Sequence, residues 1–206
     1  MKPATVFLLR HGHTINASHG RYIGQTDVAL SPKGVRQAEG WAEWFSGVPL
    51  KQIACSNLKR SADTANIIGR RCRIQPTVFP ELKEINLGDW DGLEFQEIQN
   101  QYPESFKLRG KRIADFRPPG GESFIDLQER VISQFQKIMS TSEENALMVG
   151  HAGSNRVLLS YILGMPLKNL FRINQDFGAL NIIEIHPSGW RVQALNMTLQ
   201  FGKPDP

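Results

Sequence analysis

Short apolar runs alternate along this chain with longer amphipathic segments, and this alternation restricts the possible folds more than any other feature. The strand-length runs are 5–9, 52–55 and 146–149, and the segments with helical spacing are 31–45, 58–69, 123–139 and 154–163. Strands that alternate with helices form a mostly parallel sheet with helices on both faces. We therefore expect an α/β fold arranged as a three-layer sandwich.

Capping and turn residues mark the ends of several segments. Ser31, followed by proline, suits the N-cap of one helix, and Ser123 with Asp126 three residues later is typical of another helix start. Residues 179–185 and 190–195 flank a turn rich in Pro, Ser and Gly, which predicts a β-hairpin. We expect that hairpin to add an antiparallel edge to the sheet.

The length of 206 residues suits one α/β domain covering 1–206. The stretch of about 80–121 is less regular, with a helical pattern at 94–102 and a loop of Arg, Pro and Gly at 117–121. We expect this stretch to form a small cap-like insertion beside the sheet. Residues 73–78 are expected to form a short edge strand.

Composition and charge argue against several classes of protein. The net charge is only +4, and the basic groups at 59–60 and 69–73 lack interleaved aromatics, so we expect no nucleic-acid partner. No apolar run approaches the roughly 20 residues of a membrane span, and the first run is too short for a signal peptide. We therefore expect no membrane association and a cytoplasmic protein, either a monomer or a homodimer. Cys55 and Cys72 have no zinc-like spacing and make no disulfide framework.

Arginine and histidine residues follow three of the predicted strands. Arg10 and His11 come directly after the first run, Arg60 soon after the second, and His151 after the run at 146–149. The carboxyl ends of parallel strands meet at one edge of a sheet, and ligands bind there in α/β folds. Taken singly, Arg60 resembles an ordinary surface charge and His151 an ordinary turn residue. Their corresponding positions instead predict one site with two arginines and two histidines.

Such a group is suited to phosphoryl transfer. Arginine holds phosphate oxygens in bidentate fashion, and a neutral imidazole can attack phosphorus and carry the phosphoryl group. The reaction depends on charge neutralisation and in-line positioning, which several preorganised cations can supply. We therefore predict a small phosphate monoester as the substrate.

The leaving alkoxide also needs a proton donor. Between residues 80 and 92 the first choice is Glu84, with Asp89 and Asp91 behind it. Burial against Ile85 and a nearby phosphate would both favour a protonated carboxyl group. From the residues alone, a solvated loop acid stays open as the other interpretation of Glu84.

Five sequence blocks stand in order along the chain. They are 9–12 (LRHG), 56–65 (SNLKRSADTA), 81–92 (ELKEINLGDWDG), 119–123 (PGGES) and 149–153 (VGHAG). Together they resemble the histidine phosphatase superfamily, and the resemblance covers nearly the whole chain. A bare Arg-His-Gly is a weak signal, whereas five blocks in order with matching spacing are specific. The resemblance implies a phosphoglycerate mutase-like fold.

The resemblance also implies a role for each residue of the predicted site. His11 is then the phosphorylated nucleophile, and Glu84 is first the acid and then the base for the attacking water. Arg10, Arg60 and His151 form the phosphate pocket. The resemblance further implies an enzyme that works without a metal or another cofactor.

The chain departs from the family pattern near His11. Many members have Glu at the position of His13. The asparagine that contacts phosphate in the family falls where this chain has Ala17, and Asn16 stands one residue earlier. We expect Asn16 to reach the phosphate through a shifted loop. The resemblance also implies that the backbone N–H of Ala152 contributes to the phosphate pocket.

The resemblance bears on the reaction and the substrate as well. The segment between Trp90 and Gly120 is short relative to true mutases, which favours hydrolysis over mutase action. The length and residues 174–183 are most similar to the α-ribazole-5′-phosphate phosphatases of cobalamin biosynthesis, with residues 21–24 on the substrate side. A sugar-phosphate phosphatase and a phosphoglycerate mutase stay open as alternatives.

Two functions of other classes compete with this prediction. His11 and His13 are spaced to chelate a metal in a metal-dependent hydrolase, although the chain has few further histidines. The other is a degenerate, non-catalytic module that binds phosphate. The presence of nucleophile, acid and second histidine argues against that module.

Overall fold

A six-stranded sheet lies at the centre of the computed structural model, which describes residues 4–15, 17, 20–140, 144–186 and 189–199. The strands are β1 (Ala4–Arg10), β2 (Gln52–Cys55), β3 (Thr77–Val78), β4 (Ala146–Gly150), β5 (Leu180–His186) and β6 (Gly189–Met197). Their order is β3-β2-β4-β1-β5-β6. Strands β1 to β4 pair in parallel, and β5 and β6 form the antiparallel edge. The predicted sheet is thus confirmed.

The helices follow the strands in the predicted order. They are α1 (Pro32–Phe45), α2 (Lys59–Cys72), α3 (Phe95–Gln101), α4 (Pro103–Lys111), α5 (Phe124–Ser140) and α6 (Ala152–Ile162), with 3-10 turns at Pro80–Leu82, Gly88–Trp90 and Leu167–Arg172. The N–H of Gly34 donates to Ser31 Oγ at 3.2 Å, so Ser31 caps α1 as predicted. Ser123 and Asp126 bond each other's backbone N–H groups at the start of α5.

Side chains of β1 point alternately to two hydrophobic cores, one on each face of the sheet. Val6 and Leu8 pack with buried residues of α5 and α6. Phe7 and Leu9 pack with buried residues of α1 and α2, including Trp41. Burial on both faces produces the three layers and holds the strand ends in fixed positions.

In the middle of the chain, the helix predicted at 94–102 is present as α3, but the structure differs from the sequence predictions at two other places. The strand expected at 73–78 shortens to β3 because Arg73 adopts a left-handed conformation (φ 59°) and ends α2 there. Helix α4 was not predicted, and none of its residues is buried. A helix without a buried face lacks the apolar spacing that reveals helices in a sequence.

The hairpin of β5 and β6 is confirmed, although its turn residues 187–188 lie outside the described part of the chain. Among the described residues, no helix combines the length and the apolar character needed to cross a bilayer.

Candidate active site

Three neighbouring parallel strands end at the same edge of the sheet. Arg10 at the end of β1 is in register with Gly150 of β4, and Cys55 of β2 is in register with Val149. The residue after each strand therefore lies at this edge. The rings of His11 and His151 are accordingly only 5.1 Å apart between centroids, although 140 residues separate them in the chain.

His11 is buried and fixed by its own backbone neighbour. Its Nδ1 lies 2.8 Å from the carbonyl oxygen of Gly12. A carbonyl only accepts hydrogen bonds, so in the neutral ring Nδ1 carries the proton and Nε2 keeps its lone pair. Burial and then the charges of Arg10 and Arg60 hold the pKa of His11 well below its ordinary value. A neutral imidazole with a free Nε2 is suited to act as a nucleophile.

His151 is fully buried and is anchored by a residue that the sequence interpretation gave no role. Its Nε2 lies 2.7 Å from Ser56 Oγ, and Ser56 follows β2 directly. Its Nδ1 is buried with no hydrogen-bond partner in the described residues. Burial, followed by His11, Arg60 and Arg10, lowers the pKa of His151 well below its ordinary value. The ring is therefore neutral at pH 7 and has one nitrogen to spare.

Arg10 is held from the far side of the site. Its Nη1 donates to the carbonyl of Gln175 at 2.6 Å, and its guanidinium carbon lies 3.7 Å from the centroid of the Phe177 ring. Burial lowers its pKa to about 10, so it stays charged at pH 7. Its Nε has no partner among the described residues. A charged, buried donor without a partner is suited to receive an anion.

Arg60, the second cation of the site, is buried, with 2% of its surface exposed. It donates to the carbonyls of Gly24 at 2.6 Å and Thr26 at 2.8 Å. Asp91 accepts the backbone N–H groups of that same loop, from Gly24, Gln25 and Thr26, at 2.7 to 2.9 Å. Asp91 therefore holds the loop that orients Arg60.

Glu84 is buried and accepts two backbone hydrogen bonds. Oε1 accepts from Ile85 N and Oε2 from Gly153 N, each at 2.9 Å. The second bond joins it to the first turn of α6, directly after His151. Of the other candidate acids, Asp91 is engaged by the loop and Asp89 is exposed.

Arg130 fastens the segment that carries Glu84. It donates to the carbonyls of Glu81, Lys83 and Glu84 at 2.6 to 2.9 Å and pairs with Glu122 at 2.8 Å. The sequence interpretation assigned no role to Arg130, because a single arginine on a helix gives no signal. Glu122 lies in a motif block but had no assigned role either.

The remaining predicted residues are Asn16, His13 and the stretch 21–24. Asn16 lies outside the described residues. His13 is half-buried at the rim, with Nδ1 2.9 Å from Ser31 Oγ and its ring 5.1 Å from that of Phe177. Tyr22, from the expected substrate side, stacks on Phe95 with centroids 4.3 Å apart.

We call the group of Arg10, His11, Arg60, Glu84 and His151 the cradle. In the described part of the chain, no three or more His, Cys, Asp or Glu side chains are grouped to hold a metal ion. Nδ1 of both His11 and His13 instead lies at hydrogen-bond distance from a protein oxygen.

The fold and the cradle define an α/β protein that presents a neutral imidazole beside one buried and one half-buried guanidinium. The chain belongs to the histidine phosphatase superfamily (branch 1), whose family model matches residues 6–198. The predictions of the superfamily and of a phosphatase are confirmed at that level.

Several individual proteins that this chain resembles are phosphatases with different names. The chain is 26% identical to the adenosylcobalamin/alpha-ribazole phosphatase of Escherichia coli (strain K12), over 93% of this chain and 95% of that protein. It is 30% identical to a glucosyl-3-phosphoglycerate phosphatase of Mycolicibacterium vanbaalenii, over 82% of this chain and 78% of that protein. A solved mycobacterial glucosyl-3-phosphoglycerate phosphatase superimposes with a TM-score of 0.87 at 26% identity, covering 96% of this chain and 100% of that one.

Proposed function

We propose that this protein hydrolyses small phosphate monoesters through a phosphoryl group carried on Nε2 of His11. The observation that carries the proposal is the 2.8 Å contact between His11 Nδ1 and the Gly12 carbonyl. That contact fixes the tautomer, and the depressed pKa keeps the ring uncharged, with Nε2 free of a proton. The phosphatase names of the relatives support the same reaction class.

In the first step, the lone pair of His11 Nε2 attacks phosphorus and the ester P–O bond breaks. The leaving alkoxide takes the proton of the Glu84 carboxylic acid. In the second step, the Glu84 carboxylate takes a proton from water, whose oxygen attacks phosphorus. The P–N bond breaks and inorganic phosphate is released with a neutral His11.

Arg10, Arg60 and His151 stabilise the charge on the non-bridging oxygens in this proposal. A unit-charge contact at about 4 Å is worth on the order of 4 kcal/mol at an effective dielectric of about 20. The spare Nδ1 of His151 supports a contact with the transferred group. We assign further contacts to Asn16 and to the backbone N–H of Ala152, and we propose that residues 80–121 act as a cap over the leaving group.

Turnover of p-nitrophenyl phosphate tests the reaction class. We expect the wild type to hydrolyse it and to form an acid-labile phosphoryl adduct under rapid quench. His11→Ala should lose both, while His13→Ala, the matched control two residues away, should still form the adduct. An adduct on His11→Ala would refute the nucleophile assignment. A folded wild type that binds phosphate without turnover would instead be a phosphate-binding module.

The names of the relatives supply the substrates to test. We propose a small metabolite phosphate, with α-ribazole 5′-phosphate suggested by the relative in Escherichia coli and a phosphoglycerate ester suggested by the mycobacterial relatives. A panel that includes both, assayed after exhaustive chelation, also tests the metal-dependent alternative. Full activity after chelation is the expected result, and its loss with recovery on adding metal would contradict the proposal.

A further inference from the structure

Arg156 is a half-buried cation whose contacts leave most of its guanidinium unused. Its Nε donates to the carbonyl of Ile173 at 2.8 Å, and this is its one hydrogen bond within the described residues. No ion pair to Arg156 occurs in that part of the chain. Its guanidinium carbon lies 5.1 Å from the centroid of the Phe171 ring, and Phe171 is 49% exposed. Two terminal nitrogens of a charged group thus remain available at the rim.

The position of Arg156 on α6 places it beside Glu84. The N–H of Gly153, in the first turn of α6, donates to Glu84 Oε2. Arg156 follows Gly153 by three residues, so the two share a face of the helix. The Glu84 charge accordingly acts to raise the pKa of Arg156, against the larger lowering by burial.

The same guanidinium also lies near Arg10. Arg156 bonds the carbonyl of Ile173, and Arg10 bonds the carbonyl of Gln175, two residues further along one loop. Two residues span at most about 7 Å, so the two cations are attached close together. Among like charges, Arg156 lowers the pKa of Arg10 more than Arg60 does, although burial is the main cause.

The role proposed for Glu84 indicates which part of the substrate lies near Arg156. Glu84 protonates the leaving oxygen, so the alcohol part of the substrate lies next to its carboxyl group. Arg156 lies beside that carboxyl group, at the edge of the site where Phe171 is exposed. A substituent that lies close to the ester oxygen of the leaving alcohol is therefore near the Arg156 guanidinium.

We propose that Arg156 is a specificity-determining residue that binds a second anionic group on the leaving alcohol, either a carboxylate or a second phosphate. The proposal rests on the proposed function, because the position of the leaving group follows from the role of Glu84. Arginine matches both anions through paired N–H groups. For a phosphate monoester without a second anionic group, Arg156 should not increase the affinity.

Matched substrate pairs test the proposal. 3-Phosphoglycerate and glycerol 3-phosphate differ in the carboxylate, and fructose 1,6-bisphosphate and fructose 6-phosphate differ in a phosphate. α-Ribazole 5′-phosphate and p-nitrophenyl phosphate serve as substrates without a second anion. We expect the wild type to have the higher kcat/KM for the anion-bearing member of at least one pair.

Arg156→Gln should lower kcat/KM for the preferred anion-bearing substrate by about ten- to a hundredfold, the usual effect of losing a hydrogen bond to a charged group. The other member of the pair and p-nitrophenyl phosphate should change by no more than about twofold. Arg156→Lys should recover part of the loss, because it keeps the charge without the paired donors. Arg172→Gln, which removes an exposed charge nearby, is the charge-matched control and should behave like the wild type.

A binding measurement makes the test independent of turnover. By calorimetry, phosphonoacetate (for a carboxylate) or methylenebisphosphonate (for a second phosphate) should bind the wild type more tightly than methylphosphonate, and Arg156→Gln should lose that difference. The pair that shows selectivity identifies the anion as carboxylate or phosphate. Equal losses on all substrates, or no preference in the wild type for any anion-bearing probe, would overturn the proposal. Failure of the wild type on p-nitrophenyl phosphate as well would instead count against the proposed function.

Discussion

The cradle and helix α4, which lies in the 80–121 stretch that we expect to be a cap-like insertion, are held in different ways. Side chains of the cradle bond to backbone groups inside the protein, as when Arg60 donates to two carbonyls and Glu84 accepts two N–H groups. Helix α4 of the insertion has no buried residue, and it carries the exposed ion pair of Lys107 with Glu104. Exposed pairs contribute only about 0–1 kcal/mol each. The comparison indicates that the cradle is fixed by hydrogen bonds at the sheet edge, whereas α4, unlike the fully buried Trp90 and Ile98 of the same stretch, contributes no buried residue.

Removing a cation from the cradle should have the largest effect. Arg60→Met should lower kcat/KM for p-nitrophenyl phosphate by about a thousandfold, because a preorganised charge donor to the transferred group is lost. The inhibition constant for inorganic phosphate should rise in the same variant. Steady-state kinetics and phosphate inhibition check both effects.

Arg112→Met removes a cation from the insertion and is the matched control. Its side chain is exposed and pairs with Asp115. We expect wild-type kinetics from this variant. A loss comparable with that of Arg60→Met would show that the insertion shapes the chemistry as much as the cradle does.

The substitution Gly153→Ala, which adds a single methyl group, should have the next largest effect on the rate. A Cβ there would overlap Oε1 of Glu84, which is the end of a flexible side chain, so the carboxylate moves rather than the helix. A displacement of about 1 Å at a catalytic group can cost about a hundredfold in rate. We expect kcat to fall by that order, with the far-UV circular dichroism spectrum unchanged and the loss greatest for poor leaving groups. Equal loss for good and poor leaving groups would contradict the acid role of Glu84.

The sequence predicted the cradle better than its supports, for a physical reason. Arg10 ends β1, and His11 and His151 directly follow β1 and β4. Because the ends of neighbouring parallel strands lie at one edge of the sheet, the local sequence pattern was enough to predict that these residues come together. Arg130 acts on the Glu84 carbonyl from 46 residues away, and Asp91 acts on the loop at 24–26 from more than 60 residues away. Such contacts form only when the whole fold is assembled.

The sequence signals for the features that were not predicted also differ between the cradle and α4. Ser56 immediately follows β2, and its position at the sheet edge is the signal that could have identified it. Helix α4 has no fully buried residue and only Phe106 packs against the core, so its sequence contains no apolar stripe to detect. A proline at its first position was the remaining signal, since proline favours the start of a helix.

As the pH falls, the histidines of the cradle should lower the free energy of unfolding at a higher pH than the ion pair of the insertion does. Burial holds the pKa values of His11 and His151 below 6.5 in the folded protein, so the unfolded chain binds more protons below that pH. Stability is therefore lost as the pH falls through about 6.5, by up to about 1.4 kcal/mol per pH unit for each histidine. Asp115 of the insertion has its pKa lowered by Arg112, so its contribution is lost only below its ordinary value of 3.8.

Urea unfolding at pH 7.5, 6.5 and 5.5 checks this prediction. The free energy of unfolding should fall most between pH 6.5 and 5.5. His151→Asn should halve that slope, because one of the two buried neutral rings is gone. An unchanged slope in this variant would mean that His151 is already protonated in the folded protein.

The smallest effect should come from adding a methyl group within the insertion. Gly110 lies in α4, and a Cβ there would meet no atom within 4 Å. Alanine favours the helical state over glycine by up to about 1 kcal/mol in a helix interior, and near the end of α4 we expect about 0.5 kcal/mol. Gly110→Ala should therefore raise the melting temperature slightly and leave kcat/KM for p-nitrophenyl phosphate unchanged. If kcat/KM fell together with the rise in stability, motion of α4 would contribute to turnover, and the insertion would take part in the catalytic cycle.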